Sequence, residues 1–223
     1  MPVSIGILAF LAIPGSRILN PTQMGWLTLG DPAQHFLGWQ FFRNTPLFEN
    51  PMGANRPFGM EAGSSIVYTD SLPLMAFLFK PFRALLPASF QYMGAWMLLC
   101  FILQAALAWK LIEKFSANLG VKVFGTAFFA LAPPFLYRMH AHEALMGHWL
   151  ILAALLLYFA DRWLPARWLA LLVVASLVHA YLLLMVAALW AADLATRLLA
   201  RKLPWHRMAA WGLTSAAVLG LVM

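Results

Sequence analysis

One cysteine, Cys100, stands in 223 residues, inside an apolar run. That excludes a disulfide framework and a thiolate metal site. Charge is also scarce: Asp, Glu, Lys and Arg make up 10% of the chain, against about 25% in an ordinary soluble domain. So few charges do not cover a water-facing surface. The chain also lacks an internal repeat, a low-complexity segment and a Gly-rich phosphate loop, so no nucleotide cofactor is expected. What it has in excess is apolar surface. Apolar residues reach 63%, against a usual ~45–50%. That surplus must face lipid, which predicts an all-α polytopic membrane protein surrounded by membrane lipids. Collagen-like and intrinsically disordered chains are excluded by the same figures. A net charge of +7 suggests nucleic acid in a soluble protein. In a membrane protein, cytoplasmic loops account for it, and no nucleic-acid partner is expected.

Apolar periodicity divides the chain into three parts. Pro2–Ile13 lacks the basic flank of a signal peptide and reads as a first transmembrane helix reaching about Leu19. Residues 20–90 form a long loop rich in Pro and Gly, with interfacial helices near Asp31–Arg43 and Leu72–Leu86. Residues 91–223 form a helix bundle, with spans predicted at Met93–Ile112, Val121–Tyr137 and Leu145–Phe159, then a run from Trp168 to Ala195, then Met208–Met223. The last run meets the chain end without a polar flank, so truncation at the C-terminus is expected. The Trp168–Ala195 run is too long for one crossing of a ~30 Å hydrocarbon core. Charge bias favours two short helices turning at His179-Ala180-Tyr181. Lys110, Lys114, Lys122, Arg162, Arg167, Arg197, Arg201, Lys202 and Arg207 then share one side, with Arg138 alone opposite. The result is about seven transmembrane helices, a cytoplasmic N-terminus, and a first extracytoplasmic loop at residues 20–90.

In that layout the titratable residues gather on the outer face: Asp31, Glu49, Glu61, Asp70 and Glu143, with His35, His140, His142, His148 and His179. Ionisable groups at the membrane boundary point to a functional site. Asp31 precedes Pro32 and suits a helix cap. It also suits a general base that takes a proton from an attacking hydroxyl. His35 follows at i+4 and shares its face. Asp70 reads as a second cap. Asn55 and Arg56 suit a sugar or phosphate, or simply a solvated turn. The string Arg138-Met139-His140-Ala141-His142-Glu143 offers a phosphate-binding guanidinium, two histidines and a carboxylate. Its spacing is wrong for a zincin, so a divalent metal remains open. His179 and Tyr181 sit at the tip of the predicted hairpin.

The strings Gly30-Asp31-Pro32-Ala33-Gln34-His35-Phe36, Ser64-Ser65-Ile66-Val67-Tyr68-Thr69-Asp70-Ser71 and His148-Trp149-Leu150-Ile151-Leu152 are similar to a bacterial family of polytopic membrane proteins of unassigned function. The order of parts resembles the N-terminal module of the GT-C superfamily, membrane glycosyltransferases that use polyprenyl-phosphate-linked sugars. The resemblance implies a bacterial inner-membrane enzyme whose site faces the periplasm, with a lipid-linked sugar donor and a lipid or glycan acceptor. It implies that Asp31 is the base and that Arg138 holds the donor phosphate. Many superfamily members carry two adjacent acidic residues where this chain has Asp31-Pro32. Glu143 or Asp70 then supplies the second carboxylate. A flippase for lipid-linked saccharides, a non-catalytic assembly subunit and an acyltransferase with a histidine base are the competing readings.

Overall fold

The computed structural model describes residues 1–201 and 204–222; Lys202 of the basic cluster and Met223 of the last apolar run lie outside them. Helix α1 (Pro2–Ala12) covers 11 residues, about 17 Å, well short of a bilayer core. The helix expected to reach Leu19 instead ends at Ala12. Pro14 has no N–H to continue the ladder, Gly15 turns the chain at φ 81°, and Ser16–Leu19 forms a separate tight turn. The 20–90 segment holds α2 (Asp31–Phe42), α3 (Pro73–Phe79) and a helical turn at Lys80–Leu85. Its short strands β1 (Ala54–Asn55) and β2 (Ser64–Ser65) pair antiparallel, with Ala54 opposite Ser65.

The bundle follows with α4 (Met93–Glu113), α5 (Leu119–Ala130), α6 (Pro133–Tyr137), α7 (Trp149–Tyr158), α8 (Pro165–Val178), α9 (Ala180–Leu199) and α10 (Trp205–Val222). Three stretches among the described residues are long and apolar enough to cross a membrane: Met93–Glu113, Leu119–His140 and Ala180–Leu199. At 20 to 22 residues each reaches about 30 Å or slightly more. The other apolar helices are shorter: Pro2–Ala12, Glu143–Tyr158, Pro165–Val178 and Ala209–Val218. The architecture is all-helical with three candidate spans, and the count of seven is not supported.

The run from Trp168 to Ala195 is a hairpin. His179 is a single extended residue between α8 and α9 (φ −167°, ψ 140°). Its Nδ1 accepts a 3.0 Å hydrogen bond from the Tyr181 backbone N–H, which caps α9. Trp168 Nε1 donates to Asp193 Oδ2 at 2.9 Å. On one straight helix these residues would stand about 37 Å apart.

Helix α4 is central, with α1, α5 and α7 packed around it. Phe10 and Phe135 meet Phe101 edge-on, with centroids 5.9 and 4.9 Å away. A second aromatic group ties the 20–90 segment to the start of α4. Trp39 lies 5.1 Å from Tyr92 edge-on, and Phe79 stacks on Tyr92 at 5.7 Å. Trp39 Nε1 also donates to the Phe90 carbonyl. The Tyr92 hydroxyl donates to the Ser71 carbonyl, which holds the segment before α3 against α4.

Candidate functional site

Six side chains from four parts of the chain converge. Helix α2 carries Asp31 and His35 on one face. The turn before α3 carries Asp70. The irregular link between α6 and α7 carries His142 and Glu143, and the α8–α9 break carries His179. Neither acidic residue acts as an N-cap. Gly30 occupies the N-cap position of α2, and Asp31 lies inside the first turn without a capping hydrogen bond. Leu72 occupies the N-cap position of α3, while Asp70 adopts a left-handed conformation at φ 49°. Both caps expected from the sequence are corrected, and both carboxylates are left for side-chain partners.

Glu143 and His35 form the buried floor. Glu143 is fully buried and His35 is 2% exposed, with His35 Nδ1 and Glu143 Oε2 2.5 Å apart. A carboxylate oxygen accepts here, so Nδ1 carries a proton and Nε2 faces the rest of the cluster. Among the described residues, Glu143 Oε1 has no hydrogen-bond partner. His35 Nε2 lies 3.8 Å from Asp70 Oδ2. Asp70 Oδ1 lies 3.2 Å from His179 Nε2. Because His179 Nδ1 accepts from Tyr181, its Nε2 is the protonated nitrogen and donates to Asp70. That hydrogen bond is the main cause holding the Asp70 carboxyl below the usual carboxylate range. Burial opposes it, and the facing imidazoles of His179, His35 and His142 add to the lowering. His142 bridges the rim. Its Nδ1 stands 3.9 Å from Asp70 Oδ2, and its Nε2 stands 3.7 Å from Asp31 Oδ2. Asp31 is the most open member, with its side chain 54% exposed.

Local packing explains the convergence. The Ser71 hydroxyl donates to the His35 carbonyl at 2.6 Å, and Asn55 Nδ2 donates to the Gly38 carbonyl at 2.9 Å. Gly38 permits this contact, because a Cβ there would lie 2.3 Å from Ser71 Oγ and 2.5 Å from Thr69 Oγ1. Helix α2 is thereby drawn onto the 69–71 turn, which sets His35 beside Asp70. From the bundle, Trp96 Nε1 donates to the Glu143 carbonyl at 2.8 Å.

Other expected residues lie outside the cluster. Arg138 is partly exposed, and its side chain makes no ion pair among the described residues. His140 is exposed. Tyr181 is 64% exposed, with its ring 5.0 Å from that of His179. Asn55 is fully buried on the Gly38 carbonyl, and Arg56 pairs with Glu49 at 2.9 Å. Asn55 is thus buried rather than in a solvated turn, while Arg56 keeps its side chain 69% exposed. Sequence reasoning missed Gly38 and Trp96 as positioning residues. A glycine inside an otherwise helical run was the available signal for the first. A cavity of about 610 Å³ lies elsewhere, between α4, α7 and α8, and contains none of the candidate residues.

Residues 3–223 match the family model described as a domain of unknown function, DUF6311. The chain belongs to that family. No match is found among curated proteins or solved structures. In this DUF6311 chain, His35, Asp70 and His142 each offer one ligand atom, and those atoms lie within 4.8 Å of one another. The cluster therefore has groups for proton transfer and for holding a cation.

Proposed function

We propose that this DUF6311 protein transfers a sugar from a polyprenyl-phosphate-linked donor to an acceptor hydroxyl at the extracytoplasmic face of a bacterial inner membrane. In this reading the chain is a GT-C-type enzyme, its N-terminus is cytoplasmic, and the shorter apolar helices complete a seven-helix layout. The observation that carries it is Asp31, a half-exposed carboxylate that caps no helix and sits at the rim of a buried His/carboxylate cluster. Resemblance of the strings around Asp31, Asp70 and His148 to membrane proteins grouped with GT-C enzymes supplies the reaction class.

The acceptor oxygen attacks the anomeric carbon as the bond from that carbon to the lipid phosphate breaks. Asp31 takes the acceptor's proton, and the phosphate leaves with the bonding electrons. His142, 3.7 Å from Asp31, sets the orientation of that carboxylate. Asp70 faces His142 from the other side. Glu143 does not reach substrate, because it is fully buried behind His35. Its role is to position that imidazole. Arg138 remains the group for the departing phosphate, its guanidinium being partly exposed and in no ion pair among the described residues.

The test is a transfer assay in membranes with labelled polyprenyl-phosphate sugars, comparing the native protein with Asp31→Asn at matched expression. Asp31→Asn is expected to lower transfer by at least about 10²-fold, the usual worth of a general base. Equal transfer by both would remove Asp31 as base. Absence of transfer by either, across a donor panel, would replace this reading with a flippase or an assembly subunit.

A further inference from the structure

We infer that His35 Nε2, His142 Nδ1 and Asp70 Oδ2 form a mononuclear site for a transition-metal dication of the zinc class, with a fourth position open. The inference stands apart from glycosyl transfer, since it concerns only what these side chains bind.

Charge is the first argument. Asp31, Asp70 and Glu143 meet in one partly buried cluster, and no Lys or Arg among the described residues pairs with them. Buried negative charge must be compensated, by protonated imidazoles or by a bound cation. His142 Nδ1 is closed off from solvent and has no hydrogen-bond partner among the described residues, so no protein group competes with a cation for that nitrogen.

Geometry is the second argument. Around a tetrahedral cation with bonds of roughly 2.0–2.2 Å, ligand atoms stand about 3.3–3.6 Å apart. Asp70 Oδ2 stands 3.8 Å from His35 Nε2 and 3.9 Å from His142 Nδ1. Both spacings are too long for hydrogen bonds and within about 0.6 Å of a shared metal's edge. All three atoms fall within 4.8 Å of one another.

The surroundings are the third argument. Metal-bound imidazoles ordinarily donate their second N–H to a carboxylate, and metal-bound carboxylates are themselves hydrogen-bonded. Two of the three have such a partner. His35 gives Nδ1–H to Glu143 and Asp70 takes Nε2–H from His179, while His142 Nε2 faces Asp31 at 3.7 Å, beyond hydrogen-bond distance. Glu143 is fully buried and keeps one oxygen unpartnered among the described residues, so its charge adds to the pull on a cation.

Two imidazoles and one carboxylate suit Zn²⁺. Ca²⁺ and Mg²⁺ prefer oxygen donors, and Cu(I) prefers sulfur. Three protein ligands leave a fourth position for water or a substrate oxygen, as in catalytic rather than structural zinc sites.

The test uses the full, untagged chain in detergent, stripped with chelator, reloaded with Zn²⁺ and dialysed. Native protein is expected to retain about one equivalent by elemental analysis. His142→Ala and Asp70→Asn are expected to weaken retention more than about tenfold, and Glu143→Gln by about tenfold. His140→Ala, on an exposed residue outside the cluster, is expected to retain zinc as the native chain does. His142→Cys loaded with Co²⁺ is expected to add a thiolate-to-metal charge-transfer band. That signature does not depend on comparing yields of folded protein. The proposal is overturned if the native chain holds no zinc after dialysis, if Asp70→Asn and His142→Ala hold as much as native, or if His142→Cys adds no such band.

Discussion

Two buried acidic residues, Glu143 and Asp193, lie in apolar surroundings and are treated in opposite ways. Asp193 is 2% exposed and fully paired. Arg197 Nε donates to Oδ1 at 2.7 Å and Trp168 Nε1 to Oδ2 at 2.9 Å, while Arg197 Nη2 donates to the Ala160 carbonyl at 2.7 Å. Charge is balanced and every carboxylate oxygen is satisfied, so the network locks α8, α9 and the link after α7. Glu143 is more deeply buried, yet among the described residues it has one imidazole partner and an oxygen with none. Across the rest of the cluster the His/carboxylate spacings run from 3.2 to 3.9 Å. About 21 Å of α9 separates His179 from Asp193 along the helix axis. The contrast separates a closed polar network from an open one. The first closes its hydrogen bonds; the second holds donor atoms in place and leaves valence unspent.

That contrast can be broken most severely at Asp193. Asp193→Ala leaves Arg197 as an uncompensated buried charge and is expected to cost about 3–5 kcal/mol. A large fall in thermal midpoint in detergent would show it, with zinc retention by the surviving folded fraction unchanged. Next comes Gly38→Ala. Its added methyl must push α2 off the 69–71 turn, at a cost of about 1–3 kcal/mol. Unlike Asp193→Ala, it is expected to lower zinc retention as well as the melting point, because His35 is carried away from Asp70. Glu143→Gln keeps the shape and removes a buried charge, so the free energy of unfolding is expected to change by less than about 1.5 kcal/mol. Sugar transfer is expected to drop about 10–100-fold. A loss of stability matching that of Asp193→Ala would erase the distinction between the two networks.

The smallest effect is a pH dependence at Asp70. Its carboxyl is held below the usual range, chiefly by the His179 hydrogen bond. A depressed folded value means stability that is present above the ordinary Asp pKa of about 3.9 and fades as pH falls below it. In chelator-stripped protein, native is therefore expected to melt above Asp70→Asn at pH 6. The gap should narrow between about pH 4 and pH 3. A gap that widened on acidification would reverse the assigned sign.

The amino-acid sequence by itself determined the class of the protein. With 63% apolar and 10% charged residues, the chain must close its backbone hydrogen bonds in lipid as helices or a closed barrel, and its long unbroken apolar runs select helices. The apolar stretch around α4 and the break at His179 were also legible, because composition and charge bias are local properties of the chain. Helix lengths were less so. The first apolar run reads through to Leu19, but Pro14 and Gly15 end α1 at Ala12. Six site candidates could be named from residue type, but their partners could not. Asp31 and Asp70 both look like caps in sequence, and only the structure turns them toward His142 and His179. Arg138 and His140 belong to the same string as His142 and Glu143, yet the fold leaves them outside the cluster. The reason is physical. Residue type sets what a side chain can do, whereas contacts such as His35 to Glu143, 108 positions apart, depend on how α2 seats against the 69–71 turn and the bundle.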